Sequence, residues 1–155
     1  MKISFTLLFL LMAWTGFCQG EACEEFDLSE GEISMQMGAG TPQAFIALSR
    51  RVGEATDERK IVFTTNVPKC NSLKGVYVRL SNYDILGFEA YNLLCEDLPG
   101  GGYALSGSIA LTDNLYDTLS KYEIVEFNLG GVGVLVHLEY YDEFRSMLAC
   151  LHEAK

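Results

Sequence analysis

The sequence is poor in positive charge. Its 11 lysines and arginines stand against 21 aspartates and glutamates, which gives a formal net charge of −10. Such a chain repels phosphate backbones and anionic lipid, so we expect no nucleic-acid partner, while a basic protein, a cation or a neutral ligand fits the charge. No apolar run after residue 18 approaches membrane-spanning length, so we also expect no membrane span in the mature chain.

Motifs for common catalytic and cofactor chemistry are missing as well. No Gly-x-Ser-x-Gly elbow is present to expose a serine nucleophile. The glycine clusters at residues 100–102 and 130–133 do not continue into Gly-Lys-Ser/Thr, so they do not predict a phosphate-binding loop. We therefore expect no cofactor, and the sequence favours a non-enzymatic role.

The first eighteen residues, in contrast, have the pattern of a secretory signal peptide. Lys2 gives a positive start, residues 7–14 form an apolar run, and small residues precede the predicted cleavage point after Cys18. Cleavage after Gly20 is the alternative. We expect the protein to be secreted or periplasmic. A lipid anchor at Cys18 is a second alternative, which the bulky Phe17 disfavours.

Removal of this segment leaves an even number of cysteines. In an oxidising compartment such a set predicts two disulfide bonds. No two of these cysteines lie two to four residues apart, the spacing that is typical of zinc sites. Four cysteines permit three pairings, which the sequence leaves open. The candidates are Cys23, Cys70, Cys95 and Cys150.

The mature chain divides into two parts. Residues 19–32 are an acidic lead-in with few apolar residues, which indicates a solvated segment. Residues 33–155 contain no internal repeat and no long linker, so we predict a single domain there.

Strands are predicted along most of this domain. Residues 43–52 fit either a helix or a strand, but residues 61–65 are rich in β-branched side chains and need a partner, which favours a hairpin over 43–66. Glycines at 130, 131 and 133 predict a second hairpin. The remaining predicted strands are indicated by alternating apolar and polar residues or by extended segments. They are at 33–37, 75–80, 85–95, 103–111, 124–129 and 134–138.

Two amphipathic helices are predicted at about 112–122 and 141–152. Thr112 is a suitable N-cap for the first, and apolar residues recur at helical spacing in both. The predicted fold class is therefore α+β: a single small domain, mainly antiparallel sheet, with both helices packed on one face.

The second hairpin also carries a candidate acid–base or metal cluster. His137 and Glu139 are predicted to point the same way on one strand, with Glu126 on the neighbouring strand. An imidazole and carboxylates on one sheet face could bind a divalent metal or exchange protons. A zinc site normally has a third strong ligand and an open position, and His and Glu are ordinary neighbours on a solvated sheet face. No metal site is therefore predicted, and these three residues are the candidates for a catalytic alternative.

Aromatic residues give a better functional hypothesis than the acid–base cluster does. They could line a ligand groove or a partner surface. Rigid rings with a polar end are favoured at binding surfaces, although many of them complete the edge of a small core. The tyrosines in question are Tyr77, Tyr83, Tyr91, Tyr103, Tyr140 and Tyr141.

These patterns predict an exported binding or structural module with an unspecified protein or small-ligand partner. The first alternative is a small secreted hydrolase or metal-dependent enzyme that uses His137, Glu126 and Glu139. The second is an acidic, inhibitor-like protein whose charge steers it to a basic partner.

Overall fold

Most of the chain after residue 31 is strand, as its alternation predicts. A computed structural model describes residues 31–53, 55–70 and 74–153. The predicted signal peptide, both predicted cleavage points, the lipid-anchor alternative at Cys18, most of the acidic lead-in and Cys23 lie outside the described residues.

Within these ranges the chain forms nine strands and two α-helices. The helices are α1 Asp113–Leu119 and α2 Tyr141–Glu153, with a short 3-10 turn at Leu138–Tyr140 before the second. The strands are β1 Glu32–Gly38, β2 Phe45–Val52, β3 Asp57–Val67, β4 Lys74–Leu80, β5 Ile85–Asn92, β6 Leu94–Asp97, β7 Tyr103–Ala110, β8 Ile124–Leu129 and β9 Val132–Leu135.

All strand pairs in the described part of the chain are antiparallel, and they make two sheets. A five-stranded sheet has the order β1-β2-β3-β7-β6, and a four-stranded sheet has the order β5-β4-β8-β9. The hairpin predicted over residues 43–66 is confirmed, since β2 pairs with β3 from Phe45↔Thr64 to Val52↔Asp57. The β-branched side chains of β3 therefore decide the ambiguous segment in favour of a strand.

The inner faces of the two sheets share one apolar core. Phe63 of β3 and Phe127 of β8 meet with ring centroids 5.1 Å apart. Gly107 of β7 lies so close to the other sheet that a Cβ there would be 2.5 Å from a methyl carbon of Val76. The lack of a side chain at Gly107 thus allows the sheets to pack closely.

The extended segment predicted at 85–95 is two strands in different sheets. Strand β5 pairs with β4 in the four-stranded sheet, and β6 pairs with β7 in the five-stranded sheet. The chain therefore crosses from one sheet to the other at Leu93, a partly buried residue packed against the core.

Both helices exist close to their predicted positions, although α1 ends at Leu119, earlier than expected. The Thr112 side chain accepts a hydrogen bond from the Leu115 N–H, which confirms the predicted cap. Helix α2 contacts β1 and β2, and its buried residues are Phe144, Met147, Leu148, Cys150 and Leu151. The inner face of each sheet is covered by the other sheet. The predicted packing of both helices on one sheet face is not observed.

The second predicted hairpin is confirmed in part. Gly130 and Gly131, both with positive φ, make the tight turn between β8 and β9. The strand predicted to reach Leu138 ends at Leu135 instead, and Leu138 is 78 % exposed. Val136 is still buried, and its N–H bonds to the Val125 carbonyl, so the chain leaves the sheet directly after it.

Candidate functional site

The outer face of the four-stranded sheet carries two rows of side chains that cross the strands. Val76, Val78 and Leu80 of β4 are buried, so the residues between them, Tyr77 and Arg79, point outward. Strand register then sets their neighbours. The first row reads Gly87, Tyr77, Asn128, Gly133, and the second reads Ile85, Arg79, Glu126, Leu135.

An open groove of about 450 Å³ lies on this face. Its volume falls within the range of small-ligand sites, and it combines apolar and polar side chains as such sites do. The residues that line it come from three adjacent strands and are Tyr77, Arg79, Ile85, Glu126 and Asn128.

Glycines flank the aromatic residue of the groove. A Cβ at Gly87 would lie 3.4 Å from the Tyr77 ring, and a Cβ at Gly75 would lie 3.0 Å from it. Gly87 is exposed, so the ring lies beside bare backbone there, whereas Gly75 is buried and has a φ of 91°, a conformation that itself favours glycine. A side chain at Gly87 would stand next to the ring and narrow the approach to it.

Polar groups continue the groove on the other side of Tyr77. Arg79 donates from Nε and Nη2 to Glu126 Oε2, at 2.9 and 2.6 Å. Asn128 Oδ1 accepts a hydrogen bond from the Gly131 N–H in the hairpin turn. A Cβ at Gly133 would lie 3.1 Å from Glu126 Oε1 and 3.6 Å from Asn128 Nδ2, so an acceptor and a donor lie side by side above that glycine.

The three residues of the predicted acid–base cluster are only partly brought together. His137 Nδ1 lies 3.8 Å from Glu139 Oε1, and both side chains are more than half exposed. His137 and Glu139 follow β9 rather than lying on a strand, so the predicted strand position of these two residues is wrong. Glu126 is on the groove face and pairs with Arg79. Among the described residues, no group of three or more His, Cys, Asp or Glu side chains could hold a metal ion.

A second pocket lies where the helices meet the core, and it is almost filled. It has room for about 10 Å³, the volume of roughly one water molecule. Glu123 and Arg145 form an ion pair at its lining, and the other lining residues include Met37, Ile46 and Phe144. This pocket is core packing rather than a ligand site.

The cysteines of the described chain are oxidised. Cys70, after β3, is bonded to Cys95 on β6, which confirms one predicted disulfide. Cys150 is buried and is also disulfide-bonded. Its neighbour His152 stacks on Tyr116 of α1 with ring centroids 4.6 Å apart. A thiolate–imidazole pair in this segment is therefore not present.

The six tyrosines proposed as a surface do not form one patch. Tyr77 lines the groove, and Tyr83, in the turn between β4 and β5, is 83 % exposed with a φ of 72°. Tyr91 is exposed and makes an edge contact with Phe88. The remaining three, Tyr103, Tyr140 and Tyr141, are partly buried against the core.

Sequence reasoning did not identify Arg79, Ile85 and Asn128 as parts of a site. The alternation in residues 75–80 already placed Tyr77 and Arg79 on one face of a strand, which is the available signal. What was missing is the register that brings residues of β5 and β8 beside them.

Comparison of the chain with protein-family models, with curated proteins and with solved structures finds no significant match. No helix in the described part of the chain is long and apolar enough to cross a membrane. A function for this protein therefore rests on the geometry of the groove.

Proposed function

We propose that this chain is an exported, non-enzymatic binding module whose ligand occupies the groove on the outer face of the four-stranded sheet. The observation that carries the proposal is the groove itself: the Tyr77 ring beside the exposed Gly87, next to polar side chains with hydrogen-bonding capacity. Gly87 has an ordinary φ, so its backbone does not require glycine, and a glycine inside a strand often marks a place where a ligand approaches closely.

Export is supported by two independent features. The first eighteen residues have the signal-peptide pattern. The bond between Cys70 and Cys95 is of the kind that persists in oxidising compartments. Both features suit a secreted or periplasmic protein.

The binding role is favoured over the two alternatives. A hydrolase or metal enzyme built on His137, Glu126 and Glu139 needs these side chains to converge, whereas Glu126 pairs with Arg79 and the other two lie beyond β9. The acidic-inhibitor alternative rests only on the net charge of the chain, and the groove adds nothing to it, since the one carboxylate among its lining residues is paired with Arg79.

Hydroxyl-radical footprinting tests the proposal without knowledge of the ligand. The exported protein is labelled alone and together with the extracellular or envelope fraction of its native host. We expect the modification rate of Tyr77 to fall severalfold in the presence of that fraction. Tyr122, which is 38 % exposed and does not line the groove, is the matched control and should keep its rate. Equal rates for Tyr77 in both samples would exclude the groove as the binding surface.

A further inference from the structure

We infer that the ligand of this groove is a neutral oligosaccharide lying across the strands. The inference rests on the proposed function and adds the chemical class of the ligand. Three properties of the groove carry it: its shape, the order of its chemical groups and its charge.

The shape of the groove suits a short linear ligand. Its first row has glycine at both ends, Gly87 on β5 and Gly133 on β9, and both are edge strands. The residue at each end of this row therefore contributes no side chain. The row crosses three strand spacings of about 4.8 Å, roughly 14 Å in all. A chain of a few sugar rings fits that length.

The chemical groups are arranged for a ligand that has both apolar and hydroxyl faces. Tyr77 offers a flat ring against which the C–H face of a sugar can pack. Beyond it, Glu126 Oε1 and Asn128 Nδ2 offer an acceptor beside a donor above Gly133. A hydroxyl is both a donor and an acceptor, so neighbouring sugar hydroxyls can satisfy both groups at once.

The charge of the groove favours a neutral glycan over an anionic or a cationic ligand. The two charged residues that line it, Arg79 and Glu126, neutralise each other. The chain as a whole carries a formal charge of −10, so it repels an anionic polysaccharide. A cationic ligand would have to compete with Arg79 for the carboxylate of Glu126.

An extended peptide fits the groove less well than a sugar does. Peptides that bind to sheets do so by pairing their main chain with an exposed strand edge. The floor of the groove is made by β4 and β8, which are each paired on both sides. These strands therefore have no unpaired edge, and a peptide that paired with the free edge of β5 or β9 would run along the strands rather than across them as the groove does.

Affinity electrophoresis of the disulfide-bonded exported chain tests the inference. The probes are neutral polysaccharides cast separately in native gels: starch, hydroxyethyl cellulose, xylan, galactomannan and a mixed-linkage β-glucan. We expect at least one of them to retard the wild-type protein. Tyr77→Ala should weaken that binding about tenfold or more, as loss of a central aromatic contact does. Tyr122→Ala should migrate as the wild type.

Variants that add a side chain separate loss of binding from loss of folding. Gly87→Val and Gly133→Val are on exposed strand positions with ordinary φ, and valine suits a strand, so circular dichroism should be unchanged. Gly87→Val places a side chain beside the Tyr77 ring, and Gly133→Val covers the Glu126 and Asn128 groups. We expect both variants to lose retardation.

Three results would overturn the inference. The first is the absence of retardation by any of the polysaccharides. The second is retardation that survives in all three groove variants. The third is concentration-dependent self-association that Arg79→Glu abolishes and that Arg79→Glu combined with Glu126→Arg restores, which would assign the face to a second copy of the chain. Protection of Tyr77 in the footprinting experiment is measured independently, so the binding role can stand when the sugar fails.

Discussion

Phe63 and Phe127 pack against each other between the two sheets, with ring centroids 5.1 Å apart and ring planes inclined by 41°. They lie on β3 and β8, near the middle of their sheets, and both are fully buried. Each sheet is amphipathic and is stable only when its apolar face is covered. This contact therefore ties the face that carries the groove to the rest of the domain.

Truncation of one ring should remove much of that support. We expect Phe127→Ala to lower the free energy of unfolding by about 3–5 kcal/mol, because the lost apolar contacts leave a cavity in the core. Urea denaturation followed by circular dichroism measures the change. Tyr122→Ala, an exposed aromatic truncation, should stay within about 0.5 kcal/mol of the wild type. Equal destabilisation by the two variants would contradict the proposed role of the ring pair.

Gly107 offers a test of how closely the sheets approach. A Cβ at this position would lie 2.5 Å from Val76 Cγ2 and 3.0 Å from Leu129 Cδ2. We expect Gly107→Ala to destabilise the protein by about 1–3 kcal/mol through overpacking. Gly100→Ala is the matched control, since nothing lies within 4 Å of its Cβ and its φ is ordinary. The control should be neutral or stabilising by up to about 1 kcal/mol in the same denaturation experiment. A Gly107→Ala variant as stable as the control would show that the sheets separate easily.

Local signals in the sequence predicted individual strands, turns and helices well. They predicted less well how the strands are divided between sheets. The Gly130-Gly131 turn and the Thr112 cap are decided by a few adjacent residues, and both are confirmed. The division into two sheets is not local, because buried and exposed residues alternate in the same way in one sheet as in two. Residues 85–95 illustrate this limit: the run is extended throughout, yet the chain changes sheets at Leu93.

The candidate site was predictable only in part for the same reason. Tyr77 was identified as an aromatic surface residue, and Glu126 as a polar residue on a sheet face. Their relation depends on Arg79, which is 47 residues from Glu126 in the sequence and adjacent to it in the sheet. Strand register brings such residues together, and it follows from the packing of the whole core.

The observed disulfide allows a prediction of how the other two cysteines pair. Because Cys70 is bonded to Cys95, the remaining cysteines of a chain that starts at Gln19 are Cys23 and Cys150. We predict that these two form the second bond. Peptide mass spectrometry of the exported protein without reduction should find one cross-linked fragment for each pair. A chain that begins at a lipid-modified Cys18 would contradict the predicted cleavage.

Loss of the bond between Cys70 and Cys95 should be costly. It closes a loop with a sequence separation of 25 residues. We expect the Cys70→Ala, Cys95→Ala double variant to lose about 3 kcal/mol of stability, since the unfolded chain regains the freedom that the bond removes. Urea denaturation of the oxidised proteins gives the value. A loss well below 1 kcal/mol would mean that β6 and β7 hold this region without the bond.

The ion pair between Arg50 and Asp57 makes stability depend on pH. Arg50 Nε and Nη2 donate to Asp57 Oδ1 and Oδ2, each at 2.9 Å, and Arg50 Nη1 donates to the Leu151 carbonyl in α2. The hydrogen bonds from Arg50, together with the charges of Arg50 and Arg59, hold the pKa of Asp57 below its ordinary value. The native state therefore releases this proton more readily than the unfolded state does.

Because the folded-state pKa of Asp57 is lowered, its contribution is complete above the unfolded pKa and is lost as the pH falls through the folded pKa. Asp57 is partly exposed, so we expect Asp57→Asn to cost only about 0.5–1 kcal/mol at pH 7. This difference from the wild type should shrink below about pH 4, which urea denaturation between pH 7 and pH 2.5 measures. In an Arg50→Ala background the same substitution should have a smaller effect, with the remainder coming from Arg59, whose Nη2 lies 3.6 Å from Asp57 Oδ2. A difference that persists unchanged to pH 2.5, or in that background, would assign the effect of Asp57 to something other than its pairing with Arg50.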